Sequence, residues 1–454
     1  MQHEINIDAS QEFQRIEGFG TCLFPHRRNP EYYRREGFHR VYAEQMGLNI
    51  LRINLTFFPC EPFEDPAEVD WRIIEETERA RVFTEFAARL KEVNPEVRLI
   101  ATVWSPPPWM KMNGRHGNGR DRNRAIYASS YQVRHGEDIS ENRVRPDRYE
   151  HFVAWLVAVT EFFEQKDIPL YGLSPGNEIR FSQTYNSCVW TAEDYARIIG
   201  LLGHRMEEAG YGDVLLYGPE DMTGHLYEEG TPAYVRALMG DERARRHLDR
   251  FATHGYTDGV APDMSAVSSR GLWELIEPYG MPFWMTEGGT GPHDWPKPVT
   301  DGVGVGLHNA LVAGNASAWV PWQITGAHPS THNLTAYDGL TAKSHTVQHF
   351  TRTVPVDSRR VAAEPAFGDI LVSAYLHREG GRLGIVLINP TDEDREVRLA
   401  LKDLSGVEQL DLYRTTDGSG YDPAGKLVPE GGAVVLEMPA RSIASLRGVA
   451  TGNR

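Results

Sequence analysis

Short apolar runs alternate with longer amphipathic stretches between about residues 40 and 325 of the chain. The amphipathic stretches repeat their apolar positions at helical spacing, as Val82, Phe83, Phe86 and Leu90 do. Each apolar run has a length suited to a strand that is buried on both faces. This alternation predicts a parallel α/β fold. The predicted strands are RIEGFGTCLF (15–24), LNILRINL (48–55), RLIATVWS (98–105), IPLYGLSPGNE (168–178), DVLLYGPE (213–220), RFATHGY (250–256), PFWMTEGG (282–289) and ASAWVPWQI (316–324).

Eight strand candidates with helices between them favour a closed barrel over an open, doubly wound sheet. No glycine-rich phosphate loop follows the first of these strands, which argues against a dinucleotide-binding fold. We therefore expect a (β/α)8 TIM barrel, of α/β class, at residues 14–345.

The pattern changes after about residue 350. Short, partly alternating segments such as DILVSAYLH (369–377) and RLGIVLIN (382–389) are separated by Gly, Pro and Asp turns, which predicts an all-β module. The opening residues HEINID (3–8) also alternate, and we expect them to add a strand to that module. The second predicted domain is a C-terminal β-sandwich side domain formed by residues 1–13 and 346–454.

The composition narrows the class of partner. The formal net charge is -16 at pH 7, which argues against nucleic acid or an anionic membrane as the main partner. No apolar stretch approaches the roughly 18 residues of a membrane span. The first residues carry no leader pattern, so we expect a cytoplasmic protein, the alternative being a secreted one whose leader was removed. The cysteines Cys22, Cys60 and Cys188 are too few and too widely spaced for a disulfide framework or a zinc knuckle.

Polar and aromatic side chains stand where the predicted strands end, on the face of a barrel that gathers the βα-loops. Two of them, Glu178 and Glu287, each follow an apolar run in a turn that contains Gly or Pro. Glycosidic cleavage needs such a pair, since one carboxyl protonates the leaving oxygen while the other attacks the anomeric carbon or activates water. Either glutamate alone would more simply be a surface residue. The strand-end candidates are Arg52, Trp104, Asn177, Glu178, Glu220, His254, Tyr256, Glu287, Trp319 and Trp322.

Six segments carry a more specific signal. They are FQRIEGFGT (13–21), VWSPPPWMKMNG (103–114), LSPGNEI (173–179), YNSCVWT (185–191), WMTEGG (284–289) and HFTRTVPVDSRRV (349–361). Together they resemble glycoside hydrolase family 30, a family of retaining (β/α)8 glycosidases of clan A, over nearly the whole chain. The chain departs from the family at Gly176, where Gln is usual, at Ile179, where Pro is common, and at Gly288 and Gly289, where bulkier residues are usual.

The resemblance implies a retaining hydrolase of a β-linked glycan, such as a xylan or a β-1,6-linked glucan or galactan, with no metal or other cofactor. Glu178 would be the acid/base, and Glu287 the nucleophile that forms a covalent glycosyl-enzyme by double displacement. Asn177 would bond the 2-hydroxyl of the −1 sugar, and Arg52 and Tyr256 would donate hydrogen bonds to Glu287. The other implied substrate-binding residues are His254, Trp104 as pocket wall or barrel packing, and Trp319 and Trp322 as the floor under the sugar.

Three other functions stay open from the sequence: a transglycosylase with the same two glutamates, a non-catalytic glycan-binding barrel, and a metal-dependent barrel hydrolase. His328 and His332 have the spacing of a helical zinc pair, but HPSTH has the composition of a loop. From Lys111 to Arg148 the chain holds nine Lys or Arg residues. This basic stretch is either a solvated loop or a subsite for an acidic glycan branch. The oligomeric state is not constrained.

Overall fold

The computed structural model describes residues 2–25, 31–119, 124–125, 141–257, 260–337 and 339–452. Eight parallel strands follow one another in chain order around a closed barrel, and the eighth pairs with the first. The predicted (β/α)8 barrel is therefore confirmed. The barrel strands, numbered first to eighth below, are Gly18–Cys22, Ile50–Asn54, Arg98–Thr102, Leu170–Ser174, Leu215–Met222, Leu248–Gly255, Phe283–Gly288 and Ala318–Trp319.

The eighth strand is shorter than the run ASAWVPWQI predicts. Only Ala318–Trp319 forms a regular strand, although the backbone of residues 320–322 still hydrogen-bonds to the seventh and first strands. Pro321 then interrupts the run, since proline has no N–H to donate to a ladder. The chain continues as a separate strand, Gln323–Gly326, which pairs in parallel with Asn333–Ala336. Trp322 therefore lies between two strands rather than within one.

The outer helices begin where the sequence supplies a capping side chain. Thr77, Thr191 and Ser265 each accept backbone N–H groups from the first turn of a helix, and Thr341 forms a capping box with Ser344. None of the helices in the described ranges has the length and apolarity needed to cross a bilayer. The α-helices are Glu31–Arg34, Phe38–Arg40, Glu78–Val93, Tyr149–Gln165, Ala192–Glu208, Thr231–Gly240, Glu242–His247, Ala266–Ile276, Lys297–Thr300, Val303–Val312 and Ala342–Thr351. Short 3-10 or π turns lie at Val41–Gln45, Leu55–Phe57, Trp71–Ile73, Pro108–Met110, Pro146–Arg148, Thr223–His225 and Glu277–Tyr279.

Two apolar clusters form the core of the barrel, and one buried carboxylate lies at the amino-terminal ends of its strands. Ile50, Ile100 and Trp284 belong to a small cluster formed by the barrel strands, and a larger cluster lies between the strands and the helices. Just before the first strand, the buried Glu17 accepts hydrogen bonds from Arg250 Nε at 3.0 Å and Trp284 Nε1 at 3.1 Å. These contacts occupy the amino ends of the strands, so the functional residues are expected at the opposite, carboxyl ends.

The side domain is one continuous nine-stranded sheet whose strands share one apolar core, so the sheet curves round on itself. The N-terminal strand, Gln2–Arg15, lies between Arg359–Glu364, to which it is antiparallel, and Arg395–Lys402, to which it is parallel. The prediction that the first residues join this domain is confirmed. The other strands are Leu371–His377, Arg382–Asn389, Leu410–Thr415, Asp422–Leu427, Ala433–Met438 and Ser442–Val449. Two minor pairs join Leu404–Ser405 to Thr451–Gly452 and Arg124–Ala125 to Phe181–Ser182.

The side domain packs directly on the barrel. Leu371 and Ile443 of the sheet belong to the same apolar cluster as the barrel helices. His349 places both ring nitrogens 2.9 Å from hydroxyl groups of the sheet, those of Ser445 and Thr415. His349 lies on the helix Ala342–Thr351, which spans the predicted domain boundary between residues 345 and 346.

Candidate active site

Arg52 lies at the centre of a buried cluster at the carboxyl ends of the barrel strands. It comes from the second strand and its side chain is fully buried. Its guanidinium donates to Glu287 Oε2 at 2.6 Å, to Asn177 Oδ1 at 2.7 Å and to Glu220 Oε1 at 3.1 Å. A single cation thus joins candidates from four different strands or the turns that follow them.

Glu178 and Glu287 face each other across this cluster. One carboxylate oxygen of Glu178 and one of Glu287 lie within 4.8 Å of each other. Both residues are buried, with 4% and 5% of their surface exposed. Glu178 has a left-handed φ of 46°, and its N–H donates to the carbonyl of Glu220 at 3.0 Å. A non-glycine residue adopts this backbone only when its surroundings enforce it, so the turn fixes the direction of the Glu178 side chain.

Two departures from the family motif form a matched pair behind Glu178. A Cβ at residue 176 would stand 2.7 Å from Ile179 Cγ2, so Gly176 leaves the space that the buried Ile179 occupies. After the other glutamate, a Cβ on Gly289 would stand 2.3 Å from Pro262 Cγ. In both places the small residue accommodates a neighbouring side chain.

Both oxygens of Glu287 accept hydrogen bonds from the protein. Arg52 donates to Oε2, and the hydroxyl of Tyr256 donates to Oε1 at 3.2 Å. Burial first, and then the charge of Glu287, raise the pKa of Tyr256 well above its ordinary value. Tyr256 therefore remains a donor throughout the physiological pH range. Such donors stabilise the ionised form of a carboxyl group.

Glu178 has different partners. Its Oε1 lies 3.2 Å from His254 Nδ1, and its Oε2 accepts a hydrogen bond from the Gln183 amide. Burial raises the pKa of Glu178, the hydrogen bond to His254 opposes that rise, and the charge of Glu287 adds to it. The net direction is upward, which favours the protonated carboxyl group.

His254 bridges three carboxylates. Its Nδ1 lies 3.2 Å from Glu178 and 3.8 Å from Glu287, and its Nε2 lies 3.5 Å from Glu220. Burial alone would lower the pKa of His254, but the three carboxylates outweigh burial and raise it to about 9. His254 is therefore an imidazolium near neutral pH and donates from Nδ1 to Glu178, while its Nε2 lies 3.4 Å from an Arg52 nitrogen as well as near Glu220.

The side-chain amide of Asn177 has a partner for its oxygen but none among the described residues for its nitrogen. Its Oδ1 accepts from Arg52, whereas no described residue accepts from its Nδ2, although the side chain is only 1% exposed. A buried donor without an acceptor is costly. An oxygen of a bound molecule would satisfy it.

The predicted aromatic residues divide between the site and the core. Trp104 lies over the Arg52 guanidinium, 4.4 Å from carbon to ring centroid, and its ring also contacts Trp322. Trp322 is half-buried, whereas Trp319 is 3% exposed and belongs to the large apolar cluster. Trp109 donates from Nε1 to the Cys60 carbonyl and lies among packing contacts.

Sequence reasoning missed the roles of three residues near the carboxylates. Gln183 was not among the candidates, and Glu220 was named as a strand-end residue without a role. Tyr185 was quoted only as part of a motif, yet 49% of its surface is exposed, and desolvation followed by the charges of Glu178 and Glu287 raises its pKa. Gln183 and Tyr185 lie in the loop after the fourth strand, where no periodic pattern indicates which side chains turn inward.

The site is a poor fit for a metal ion. In the part of the chain that the structure describes, Glu178, His254 and Glu287 form the one cluster of potential ligands, with one atom from each within 4.8 Å of the others. The Arg52 cation and the protonated His254 already occupy this space, and both repel a cation. His328 and His332 lie in a loop, as expected from HPSTH, and His332 Nε2 lies 2.9 Å from the Val260 carbonyl.

The basic stretch is only partly described, because residues 120–123 and 126–140 lie outside the described residues. Lys111, at its start, is not solvated: it is 2% exposed and donates to Asn142 Oδ1 at 2.7 Å and to the Ser187 carbonyl at 2.6 Å. Burial lowers the pKa of Lys111 to about 8. Lys111 ties the loop after the third strand to the loop after the fourth.

No protein-family model matches the chain. It is similar to the lysosomal acid glucosylceramidase of Mus musculus, with 23% identity over 345 residues, which cover 71% of this chain and 62% of that protein. The chain spans 48% and 62% of the length of two curated relatives that it matches.

The fold is similar to those of solved glycoside hydrolases. A family 30 subfamily 8 xylanase from Clostridium acetobutylicum superposes with a TM-score of 0.74 at 18% identity, covering 98% of this chain and 100% of the xylanase. An endo-β-1,6-glucanase superposes with a TM-score of 0.70 at 15% identity, covering 98% of this chain and 94% of that enzyme. The chain therefore resembles glycoside hydrolase family 30 in its sequence motifs, and it has the barrel and β side domain of that family.

Proposed function

We propose that this protein is a retaining hydrolase of a β-linked glycan, with Glu178 as acid/base and Glu287 as nucleophile. The observation that carries the proposal is the pair of facing carboxylates in two opposite environments. Glu287 accepts from Arg52 and Tyr256, which favours the ionised form that a nucleophile needs. Burial raises the pKa of Glu178, which favours the protonated form that a general acid needs.

The spacing of the carboxylates supports retention. Retaining glycosidases hold their two carboxyl groups roughly 5–5.5 Å apart, and inverting ones roughly 6.5–9.5 Å apart to admit a water molecule. The nearest oxygens of Glu178 and Glu287 lie within 4.8 Å. This upper bound lies below the separation that an inverting glycosidase uses to admit a water molecule.

The reaction would proceed in two displacements. Glu287 attacks the anomeric carbon while Glu178 protonates the departing glycosidic oxygen, which leaves a glycosyl ester on Glu287 and a carboxylate at Glu178. Glu178 then takes a proton from water, which attacks the anomeric carbon, displaces the Glu287 carboxylate and restores both groups. Asn177 Nδ2, which has no acceptor among the described residues, donates to the 2-hydroxyl of the −1 sugar.

The substrate class is proposed by similarity rather than by a feature of the pocket. The relatives' names include a xylanase, an endo-β-1,6-glucanase and a glucosylceramidase, and these have β-linked sugars in common. Trp322 and the exposed Tyr185 are the aromatic surfaces beside the carboxylates on which sugar rings would stack. We propose a β-glycoside, with xylan, β-1,6-glucan or galactan, and glucosyl lipid as the candidates to assay.

The proposal is tested by product stereochemistry. A panel of nitrophenyl β-glycosides identifies a cleaved sugar, and proton NMR during the first turnovers identifies the anomer released first. We expect the β-hemiacetal first, with the α-anomer appearing later by mutarotation. If the α-anomer is released first, the double-displacement mechanism is wrong. If no panel member or polysaccharide is cleaved, the hydrolase assignment is wrong.

A further inference from the structure

Glu220 is a third carboxylate in the site, behind the two that would react. It lies near the end of the fifth strand, is fully buried, and has a left-handed φ of 56°. Its Oε1 lies 3.1 Å from an Arg52 nitrogen and 3.5 Å from His254 Nε2. No described residue donates to its Oε2. The carboxylate is thus held by the two cations of the site.

The buried charges of the site sum to zero only when the Glu220 carboxylate is included. With Glu178 protonated, the cluster holds two cations, Arg52 and His254, and two anions, Glu287 and Glu220. Buried charges are tolerated when each is paired, and an excess charge is expelled by loss or gain of a proton. Without the Glu220 charge, the same cluster would carry one excess positive charge, which the loss of the His254 proton would remove.

We infer that Glu220 is a positioning residue: its buried carboxylate pairs with His254 and Arg52 and thereby keeps His254 protonated, as a hydrogen-bond donor to Glu178. The inference rests on the proposed role of Glu178 as acid/base. Its full burial behind the two cations keeps Glu220 out of reach of a sugar. It acts through His254, whose other ring nitrogen contacts Glu178 at 3.2 Å. Burial would raise the pKa of Glu220, but Arg52 and His254 together lower it, so Glu220 stays ionised.

The thiol and phenol groups around this cluster are neutral, so they do not alter the charge balance. Cys22 on the first strand and Tyr217 on the fifth are buried, and burial raises the pKa of each. Burial likewise raises the pKa of Tyr195, on the helix after the fourth strand, and of Tyr256 and Tyr185, which face Glu287 and Glu178.

The inference is tested with Glu220→Gln, which removes the charge and keeps the shape. His254 titration is followed by imidazole ¹⁵N NMR, with His254→Gln to assign the signal, and kcat/KM is measured against pH. In the wild-type protein, His254 is expected to titrate well above its ordinary range. In Glu220→Gln, we expect its pKa to fall by about one unit or more, because one of three carboxylate partners is gone. A protonated His254 lowers the pKa of Glu178. Loss of the His254 proton should therefore move the basic limb of kcat/KM, which reports the acid Glu178, to higher pH.

Two controls separate a charge effect from a packing effect. Glu220→Asp keeps the charge and should keep the wild-type pH profile even at a lower rate. Glu17→Gln removes another buried carboxylate, at the opposite end of the barrel, and should leave His254 unchanged. A wild-type His254 that is neutral at pH 7, or a Glu220→Gln protein with unchanged His254 titration and pH profile, overturns the inference.

The NMR arm needs no substrate, and therefore distinguishes this inference from the proposed function. If no glycoside is cleaved but His254 responds to Glu220→Gln as expected, the charge relationship stands and the hydrolase assignment fails. If Glu220→Gln does not fold, the wild-type titration still tests the inference, because a His254 that is neutral at pH 7 overturns it.

Discussion

Arg52 and Glu287 form a fully buried ion pair, with 2.6 Å between the guanidinium nitrogen and the carboxylate oxygen. The same guanidinium also contacts Asn177 and Glu220. A change at residue 52 therefore affects the orientation of the proposed nucleophile as well as the charge of the site.

We expect Arg52→Gln to lose both activity and stability. Removing one partner of a buried ion pair leaves an uncompensated charge and costs roughly 3–5 kcal/mol of unfolding free energy. Urea unfolding and kcat/KM measure the two effects. Arg72→Gln is the control, because Arg72 pairs with Asp70 on the surface, and it should resemble the wild type in both measurements. Wild-type stability and activity in Arg52→Gln would contradict the geometry.

Asn177→Ala should matter only for sugars that carry a 2-hydroxyl. The free Nδ2 donor would bond this hydroxyl most strongly in the transition state, where the contact is worth several kcal/mol, or about 10²-fold or more in rate. We expect a loss of that size in kcat/KM on an aryl glycoside, and little loss on the matched 2-deoxy glycoside. Equal losses on both substrates would mean that Asn177 does not contact the 2-hydroxyl.

Gln183→Ala should weaken acid assistance to the leaving group. The Gln183 amide contacts Glu178 Oε2, and rotating that amide by 180° would let its oxygen accept the proton of the carboxylic acid instead. General acid catalysis contributes roughly 10²–10⁴-fold, so part of that factor should disappear. We expect a larger loss of kcat/KM on methyl or alkyl glycosides than on dinitrophenyl glycosides. A loss independent of the leaving group would assign Gln183 a purely structural role.

His349 should make the protein less stable in acid. Burial lowers the pKa of His349 to about 3, against roughly 6.5 for an unfolded histidine. Between these values the unfolded chain binds the extra proton, so stability falls as the pH falls through that window and is unaffected above it. In His349→Gln, the dependence of unfolding free energy on pH should be smaller by up to about 1.4 kcal/mol per pH unit.

This prediction is checked by urea unfolding at several pH values between 4 and 8. His204→Gln is the control, because His204 is exposed and pairs only with Glu208 at the surface. If His349→Gln shows the same pH dependence as the wild type, the histidine is not held neutral between the barrel and the side domain.

Much of the site was predictable because it lies at strand ends. Glu178, Glu287, Arg52 and Tyr256 each follow or end an apolar run, and a closed barrel of parallel strands brings such positions to one face. The N-terminal strand was also predictable, because HEINID alternates in the way that a half-buried strand does. These features depend on periodicity and on chain order alone.

The remaining features depend on contacts between distant segments. The contact of Gln183 with Glu178 depends on an irregular loop, and the burial of Lys111 depends on acceptors from three segments of the chain. The charge on His254 follows from carboxylates on the fifth and seventh strands and in the turn after the fourth. No pattern within a single segment indicates such contacts.

The most direct test of the account is the azide product formed by two variants, Glu178→Ala and Glu287→Ala, acting on a dinitrophenyl β-glycoside. The good leaving group needs no acid, so Glu178→Ala should form the glycosyl-enzyme in a burst. The second step should then stall, because the general base that is missing contributes roughly 10²–10⁴-fold to its rate. Azide needs no base, so it should release a β-glycosyl azide of retained configuration from Glu178→Ala. Release of an α-glycosyl azide from Glu287→Ala is compatible with Glu287 as nucleophile. Failure of azide to rescue Glu178→Ala, together with release of a β-glycosyl azide from Glu287→Ala, would reverse the roles assigned to the two glutamates.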